Sequence, residues 1–494
     1  MLVHSLLDGA AAAAPDAVAV SDAAGRWTYA ELDACSRAAA AWLAGNGIGR
    51  GDRVLLQVPS IRETVALLFG ASRLGAIFVP INPQMKDFHL RSVVENAEPA
   101  MVITVADRVP VVEEWAGVPV HALDEVWAEV ERGEAAPYRE GVVEPDDVAV
   151  LIYTSGSTAA PKAVICPHAQ ATFATKAIVD MLGYRPDDVV FCRFPLSWDY
   201  GLYKVLMSCA ARAQIVLADR ESDLVLLSAM ADSGATVLPI VPSLATMILK
   251  LAERRTAPMP PLRLITNTGA ALPQATIDSL REVFPGVVVV RQFGQTECKR
   301  VTVMPPELAD ERPGAVGLPL PGTSVRITGP GGEALPTGEV GEIVVYGPHV
   351  MPGYWRNPEA TAQSFRTDPA TGEPVLHTGD YGWLDEDGFL YFQGRRDDMF
   401  KRRGIRMSTL EIEKAAMDVP GVRAATVLPP TADRDLAVVV ESELEPHAVL
   451  KELARRLESA KVPALCRSVS EIPLTLHGKN ERAGLAALFE GSLR

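Results

Sequence analysis

The sequence predicts an α/β protein: a large N-terminal part built of parallel-rich sheets plus a small β-barrel, followed by a small α+β C-terminal unit. Three observations carry this. Short apolar runs alternate with Ala/Leu-rich helical stretches over the first ~390 residues, the pattern of strand–helix units on a parallel sheet. Residues 306–345 differ, with Gly/Pro turns separating short β-rich pieces that suit a small antiparallel barrel or sheet. Beyond Gly394-Arg395-Arg396-Asp397-Asp398 the charge balance shifts. Residues 397–494 hold 15 basic and 15 acidic side chains, so the net charge of −15 resides in the first 396.

Each element has its own warrant. The Ala10–Ala14 run reads as a helix end. Residues 29–45 read as a helix opened by Thr28, with Glu31 three positions on, a capping-box pattern. Arg53-Val54-Leu55-Leu56-Gln57-Val58, residues 76–80 and Val287-Val288-Val289-Val290 read as buried strands. Residues 323–328 and 341–346 supply the β-rich pieces of the small sheet. The boundary near 395 gives two domains, 1–395 and 396–494.

Size and composition narrow the function. A chain of 494 residues exceeds one typical core. With 48% hydrophobic and 22% charged residues it is globular. No uncharged apolar run is long enough to span a membrane, and no secretory signal is readable. Six cysteines are scattered with no C-x-x-C pair, which fits a reducing, cytoplasmic setting and no zinc site. The acidic balance speaks against nucleic acid as a partner.

The apolar run Val148-Ala149-Val150-Leu151-Ile152 leads into Tyr153-Thr154-Ser155-Gly156-Ser157-Thr158-Ala159-Ala160-Pro161-Lys162. Four hydroxyls (Thr154, Ser155, Ser157, Thr158), the flexible Gly156 and the cation Lys162 suit a phosphate chain. Such a loop aims N–H groups, hydroxyls and a charge at one anion. It is not a Walker A loop, because G-x-x-x-x-G-K-[S/T] is absent. An ordinary surface turn has the same composition, so by itself the loop leaves both readings open.

Further segments follow in order: Phe293-Gly294-Gln295-Thr296-Glu297, Gly341-Glu342-Ile343 through Gly353-Tyr354-Trp355, His377-Thr378-Gly379-Asp380, Gly394-Arg395-Arg396-Asp397 and Gly478-Lys479. With the loop, they resemble the motifs of the adenylate-forming superfamily, which includes acyl-CoA synthetases, amino-acid adenylation domains and luciferases. The resemblance spans essentially the whole chain. It implies ATP and Mg²⁺ as cofactors and chemistry in two halves. A carboxylate attacks the α-phosphate of ATP, giving an acyl-adenylate and pyrophosphate; a pantetheine thiol then displaces AMP. It also implies that the C-terminal domain rotates about Asp397.

The resemblance implies residue roles too. Asp380 and Arg395 would contact the ribose, Phe293 and Gly269-Ala270-Ala271 the adenine, and Thr296 the α-phosphate. Glu297 would hold Mg²⁺. Lys479 would steady the negative charge that develops in adenylation. Ala159 and Ala163 stand where glycine is usual. If those positions need positive φ, each alanine is strained by about 1–2 kcal/mol, and slower adenylation is expected.

The acid substrate is read at Phe194-Pro195-Leu196-Ser197-Trp198-Asp199-Tyr200. Amino-acid adenylation domains place an Asp where Asp199 falls, to pair with a substrate ammonium; capping the helix that follows is the other reading. Lys299 and Arg300 come directly after Glu297-Cys298. Together with Asp199 this is similar to stand-alone enzymes that load β-amino acids onto carrier proteins for macrolactam polyketides. In an aspartate-type member of that group such cations grip a second carboxylate; neutralising phosphates or Glu297 is the alternative. Trp198, Tyr203, Thr268 and Gln292 are expected to complete the pocket wall. The resulting expectation is a stand-alone amino acid–carrier protein ligase, with coenzyme A as the alternative acceptor. An acyl- or aryl-CoA ligase and a non-catalytic adenylate-binding homologue are the competing readings. The Lys401-Arg402-Arg403 cluster is the expected docking surface for an acidic carrier protein.

Overall fold

The computed structural model describes residues 1–133, 141–154, 162–218, 222–254, 258–368, 371–395, 399–402, 405–431, 434–459, 461–473 and 482–489. Two parallel-rich sheets dominate. One runs in the order Val120–Ala122, Met101–Thr104, Arg53–Gln57, Ile77–Pro80, Val148–Thr154, Lys162–Pro167, antiparallel only at its last pair. The other runs Leu318–Pro319, Thr302–Val303, Val288–Phe293, Leu264–Asn267, Val237–Ile240, Val189–Cys192, Gln214–Leu217, Val18–Asp22, Gly25–Thr28. Its middle is parallel and its edges are antiparallel. Helices cover the faces, so central strands such as Val54-Leu55-Leu56 and Val289-Val290 are buried and nearly all apolar. Burying each such side chain stabilises the fold by roughly 1.5–3 kcal/mol before entropy is counted.

Local signals behave as their chemistry demands. The helix Tyr29–Gly45 starts where the capping box places it. Thr28 Oγ1 accepts from Glu31 N at 3.2 Å and Glu31 Oε2 accepts from Thr28 N at 2.7 Å. Of the segment 306–345 expected as a small barrel or sheet, Leu318–Pro319 joins the nine-stranded sheet, and the remainder supplies two strands of a five-stranded antiparallel sheet that extends to residue 395. It contains Ser324–Thr328, Gly341–Tyr346, Phe365–Thr367, Pro374–Leu384 and Leu390–Arg395. Past it, the helix Thr409–Met417 packs on the three-stranded sheet Val422–Leu428, Ala437–Ser442, Leu465–Val469 around Ile412, Val427 and Val438. Thr409 is the first residue of that helix. Ser408 caps it by accepting from Leu410 N at 3.1 Å.

Candidate active site

The strands Val148–Thr154, Leu264–Asn267 and Val288–Phe293 end at one cavity of about 1290 Å³. The carboxyl ends of parallel strands are where such sheets leave room for ligands. Thr154, Lys162, Trp198, Asp199, Thr268, Gly269, Ala270, Ala271, Gln292, Phe293, Gly294, Thr296, Glu297, Arg300, Asp380 and Arg395 all line it. Ser155, Gly156, Ser157, Thr158, Asp397 and Lys479 lie outside the described residues.

One end is polar and holds charges of both signs. Asp380 and Arg395 are register partners on adjacent antiparallel strands, with Arg395 Nε 3.4 Å from Asp380 Oδ1. The carboxylate is buried and the guanidinium exposed, an arrangement suited to a pair of vicinal hydroxyls. Phe293 stacks on Phe392, centroids 4.8 Å apart and planes 29° apart. Glu297 Oε1 accepts from Tyr354 Oη at 2.6 Å. Burial first, then the Glu297 charge, pushes the Tyr354 phenol up, so it stays a donor. Lys162 Nζ lies 5.6 Å from the centre of the same ring. Thr154 Oγ1 donates to Lys162 O at 3.3 Å, tying together the two flanks of the Ser/Gly loop.

Mg²⁺ fits at Glu297. Among the described residues no group of three or more His, Cys, Asp or Glu side chains could hold a metal. A single hard carboxylate suits an ion that takes its remaining ligands from water and substrate.

The other end carries cations. The helix Asp199–Ala211 starts at Asp199, which is half-buried on the cavity wall. Gly201 permits this placement, since a Cβ there would lie 2.3 Å from Pro195 O. Lys299 and Arg300 come from a turn that folds back on its own strand, with Val301 N donating to Phe293 O at 2.9 Å. The turn is tight: a Cβ at Gly294 would sit 2.4 Å from Lys299 O, and Lys299 adopts φ 66°. Arg300 Nε donates to Gln292 Oε1 at 2.7 Å, and Nη1 donates to Lys299 O at 2.6 Å. Its guanidinium lies 5.1 Å from the centre of the Tyr200 ring. Gln292 Nε2 is buried with no hydrogen-bond partner among the described residues. Lys299 Nζ sits 4.6 Å from the Tyr203 ring centre and 3.6 Å from Cys166 Sγ. Both cations are buried, and neither forms an ion pair among the described residues.

Several expectations change in detail. Tyr203 and Lys299 are not on the main wall. They stand behind it, around a second cavity of about 10 Å³ shared with Asp199, Tyr200 and Arg300, because the buried helix turns Tyr203 away from the opening. Asp199 makes no capping hydrogen bond among the described residues; it is the first residue of the helix, one past the N-cap Trp198. Ala163 carries no left-handed strain. It pairs with Tyr153 in a regular ladder and accepts from Trp355 N at 2.8 Å. Ala159 lies outside the described residues. Arg402 is no docking cation: it is buried and fixed bidentately to Asp435 at 2.8 and 2.9 Å. Lys204 was missed. It is 1% exposed on the pocket helix, and its only trace in the sequence is one lysine inside Gly201-Leu202-Tyr203-Lys204-Val205-Leu206-Met207.

The cavity thus gathers a buried carboxylate paired with an exposed guanidinium, an aromatic stack and a second carboxylate near Lys162. The chain belongs to the AMP-binding enzyme family, whose profile matches residues 7–355, and so to the adenylate-forming ligases. Within that class it is 53% identical to VinN, with TM-score 0.76 over 80% of this chain and 99% of that one. VinN is also known in complexes with L-aspartate and with 3-methylaspartate. ATP-bound MatB from Rhodopseudomonas palustris is 28% identical with TM-score 0.86 over the full length of both chains. A non-canonical nonribosomal peptide synthetase, CymA of Salinispora arenicola, is 32% identical over 97% of this chain; the match spans 6% of that protein. Feruloyl-CoA synthase of Amycolatopsis sp is 31% identical over 94% of each. Among the described residues no helix is long and apolar enough to cross a membrane.

Proposed function

We propose that this protein activates an amino acid bearing a second, acidic group as its aminoacyl-adenylate and passes it to the phosphopantetheine thiol of a carrier protein. The observation that carries this is the pocket floor. Arg300, buried and without a carboxylate partner, lies beside the unpaired Gln292 Nε2 and faces a cavity that also exposes Asp199. An unpaired buried cation costs several kcal/mol, which a substrate anion offsets. Asp199 takes the substrate ammonium. The substrate's second acid group takes Arg300 and Gln292, leaving its reacting carboxylate toward the nucleotide end. The aspartate complexes of VinN support this reading.

Each nucleotide contact has a candidate. Phe293, with Phe392 behind it, and Gly269-Ala270-Ala271 take the adenine. Asp380 and Arg395 take the ribose, and Thr296, Lys162 and the loop from Thr154 take the phosphates. Glu297, oriented by Tyr354, holds Mg²⁺, which when bound neutralises charge on the phosphates. Lys479 stabilises charge that grows in the transition state. Residues 396–494 then rotate about Asp397 against residues 1–395, withdrawing Lys479 and admitting the thiol.

ATP–pyrophosphate exchange tests the reading, with L-aspartate, 3-methylaspartate and β-amino acids set against succinate, alanine, benzoate and propionate. Exchange is expected with the acidic amino acids. Exchange with benzoate or propionate and none with amino acids overturns the proposal in favour of a CoA ligase. Loading of a carrier protein against free coenzyme A identifies the acceptor.

A further inference from the structure

Lys204 lies one helical turn beyond Asp199 and Tyr200, and no role assigned above uses it. Its Nζ is 3.3 Å from Tyr184 Oη and 4.8 Å from the centre of the Tyr200 ring. That ring also carries the Arg300 guanidinium, at 5.1 Å. Lys204, Lys299 and Arg300 surround the same small cavity as Asp199. Tyrosine rings cushion all three cations, yet none is ion-paired among the described residues. We infer that Lys204 is a positioning residue of the acid pocket, a third cation whose proton is held when a substrate's second acid group is seated on Arg300. The inference rests on the acidic-side-chain reading above.

The electrostatics supply the coupling. Burial first, then the Arg300 charge, pulls the Lys204 ammonium down to about 7, against an upward pull from Cys192 and Asp199. Its other neighbours are the Tyr184 hydroxyl and the Met207 sulfur. Behind Tyr184 stands the Asp188–Arg263 pair, and across the small cavity stand Tyr203 and Lys299. The Tyr184, Tyr200 and Tyr203 phenols are all raised by burial and stay neutral. A carboxylate on Arg300 cancels part of the field that disfavours the ammonium. Lys204 then binds a proton more tightly in the complex than in the free enzyme. Substrate binding takes up protons, and affinity falls as pH rises above about 7.

The test is pyrophosphate exchange from pH 6.0 to 8.5 with L-aspartate, in the wild type, Lys204→Met and Lys204→Gln. Calorimetry of L-aspartate binding in buffers of different ionisation enthalpy runs alongside. In the wild type the KM for aspartate is expected to rise by up to about tenfold per pH unit above neutrality, with the KM for ATP flat and a measurable uptake of protons. Both variants should lose the slope and the proton uptake and show a raised KM at pH 6.5, with kcat little changed. A merely structural lysine would lower thermal stability or kcat and leave the slope intact. A variant that keeps the slope overturns the inference. So does a flat wild-type profile without proton uptake, which needs no variant to fold. Absence of wild-type exchange with acidic amino acids at every pH, while another amino acid works, removes the substrate reading and this inference with it.

Discussion

The two ends of the cavity treat charge in opposite ways. At the nucleotide end Asp380 faces Arg395 and Glu297 accepts from Tyr354. Behind the acid end, around the small cavity they share with Asp199, Lys204, Lys299 and Arg300 are buried against aromatic faces and neutral oxygens or sulfur and form no ion pair among the described residues. A cation–π contact stabilises by about 0.5–2 kcal/mol, less than the several kcal/mol of desolvation for a buried ion. A site whose own charges carry both signs, Asp380 and Glu297 beside Arg395 and Lys162, is near balance without its ligand. A site with surplus cations depends on the ligand to complete it. The first suits a nucleotide common to a whole family, and the second suits discrimination among acids.

The contrast can be tested from its largest effect down. Lys479→Ala should lower pyrophosphate exchange by about 10²–10³, the loss typical of one transition-state contact; full activity would remove the nucleotide end from the argument. Arg300→Gln should raise the KM for L-aspartate by about 10–100-fold, matching about 1.5–3 kcal/mol for a hydrogen bond to a charged group. The KM for ATP should barely move, and equal changes in both would erase the distinction between the two ends. Tyr354→Phe should raise the Mg²⁺ concentration for half-maximal exchange by about tenfold, as loss of a partner that orients a metal ligand does. Competition with Ca²⁺ in a direct metal-binding titration provides a readout besides rate. The smallest effect is expected from Ala159→Gly, a few-fold faster exchange at most, since about 1 kcal/mol would be relieved if that position needs positive φ; no change would show that the loop tolerates alanine.

Where chemistry is local, the sequence was legible. The capping box at Thr28 and Glu31 needs only residues three apart, and the helix starts there. The apolar strand that closes at Thr154 points to the cavity by itself, whereas Thr268 and Gly294 are legible there only through the family resemblance. Contacts between distant segments were hidden. Tyr354 is 57 positions from Glu297, and Arg402 reads as a basic surface cluster until Asp435, 33 residues on, claims it. Lys204 was invisible for a related reason. A lysine on a helix is ordinarily solvated, and only the packing of the helix His168–Leu182 and the nine-stranded sheet around Asp199–Ala211 makes it a core residue. Lys299 and Arg300 were legible as cations; that one lies behind the wall and the other on it follows from a turn whose geometry no spacing reveals.

Lys299 sits where the backbone favours a residue without a side chain, at φ 66°. An ordinary L-residue costs about 1–2 kcal/mol there. Changing it to glycine or asparagine would remove a charge and relax the main chain at the same time. The same change would empty the packed space beside Tyr203 and Cys166 that the lysine stem fills, and voids of that kind cost about 2–5 kcal/mol, so the twist at 299 is a penalty the packing outweighs.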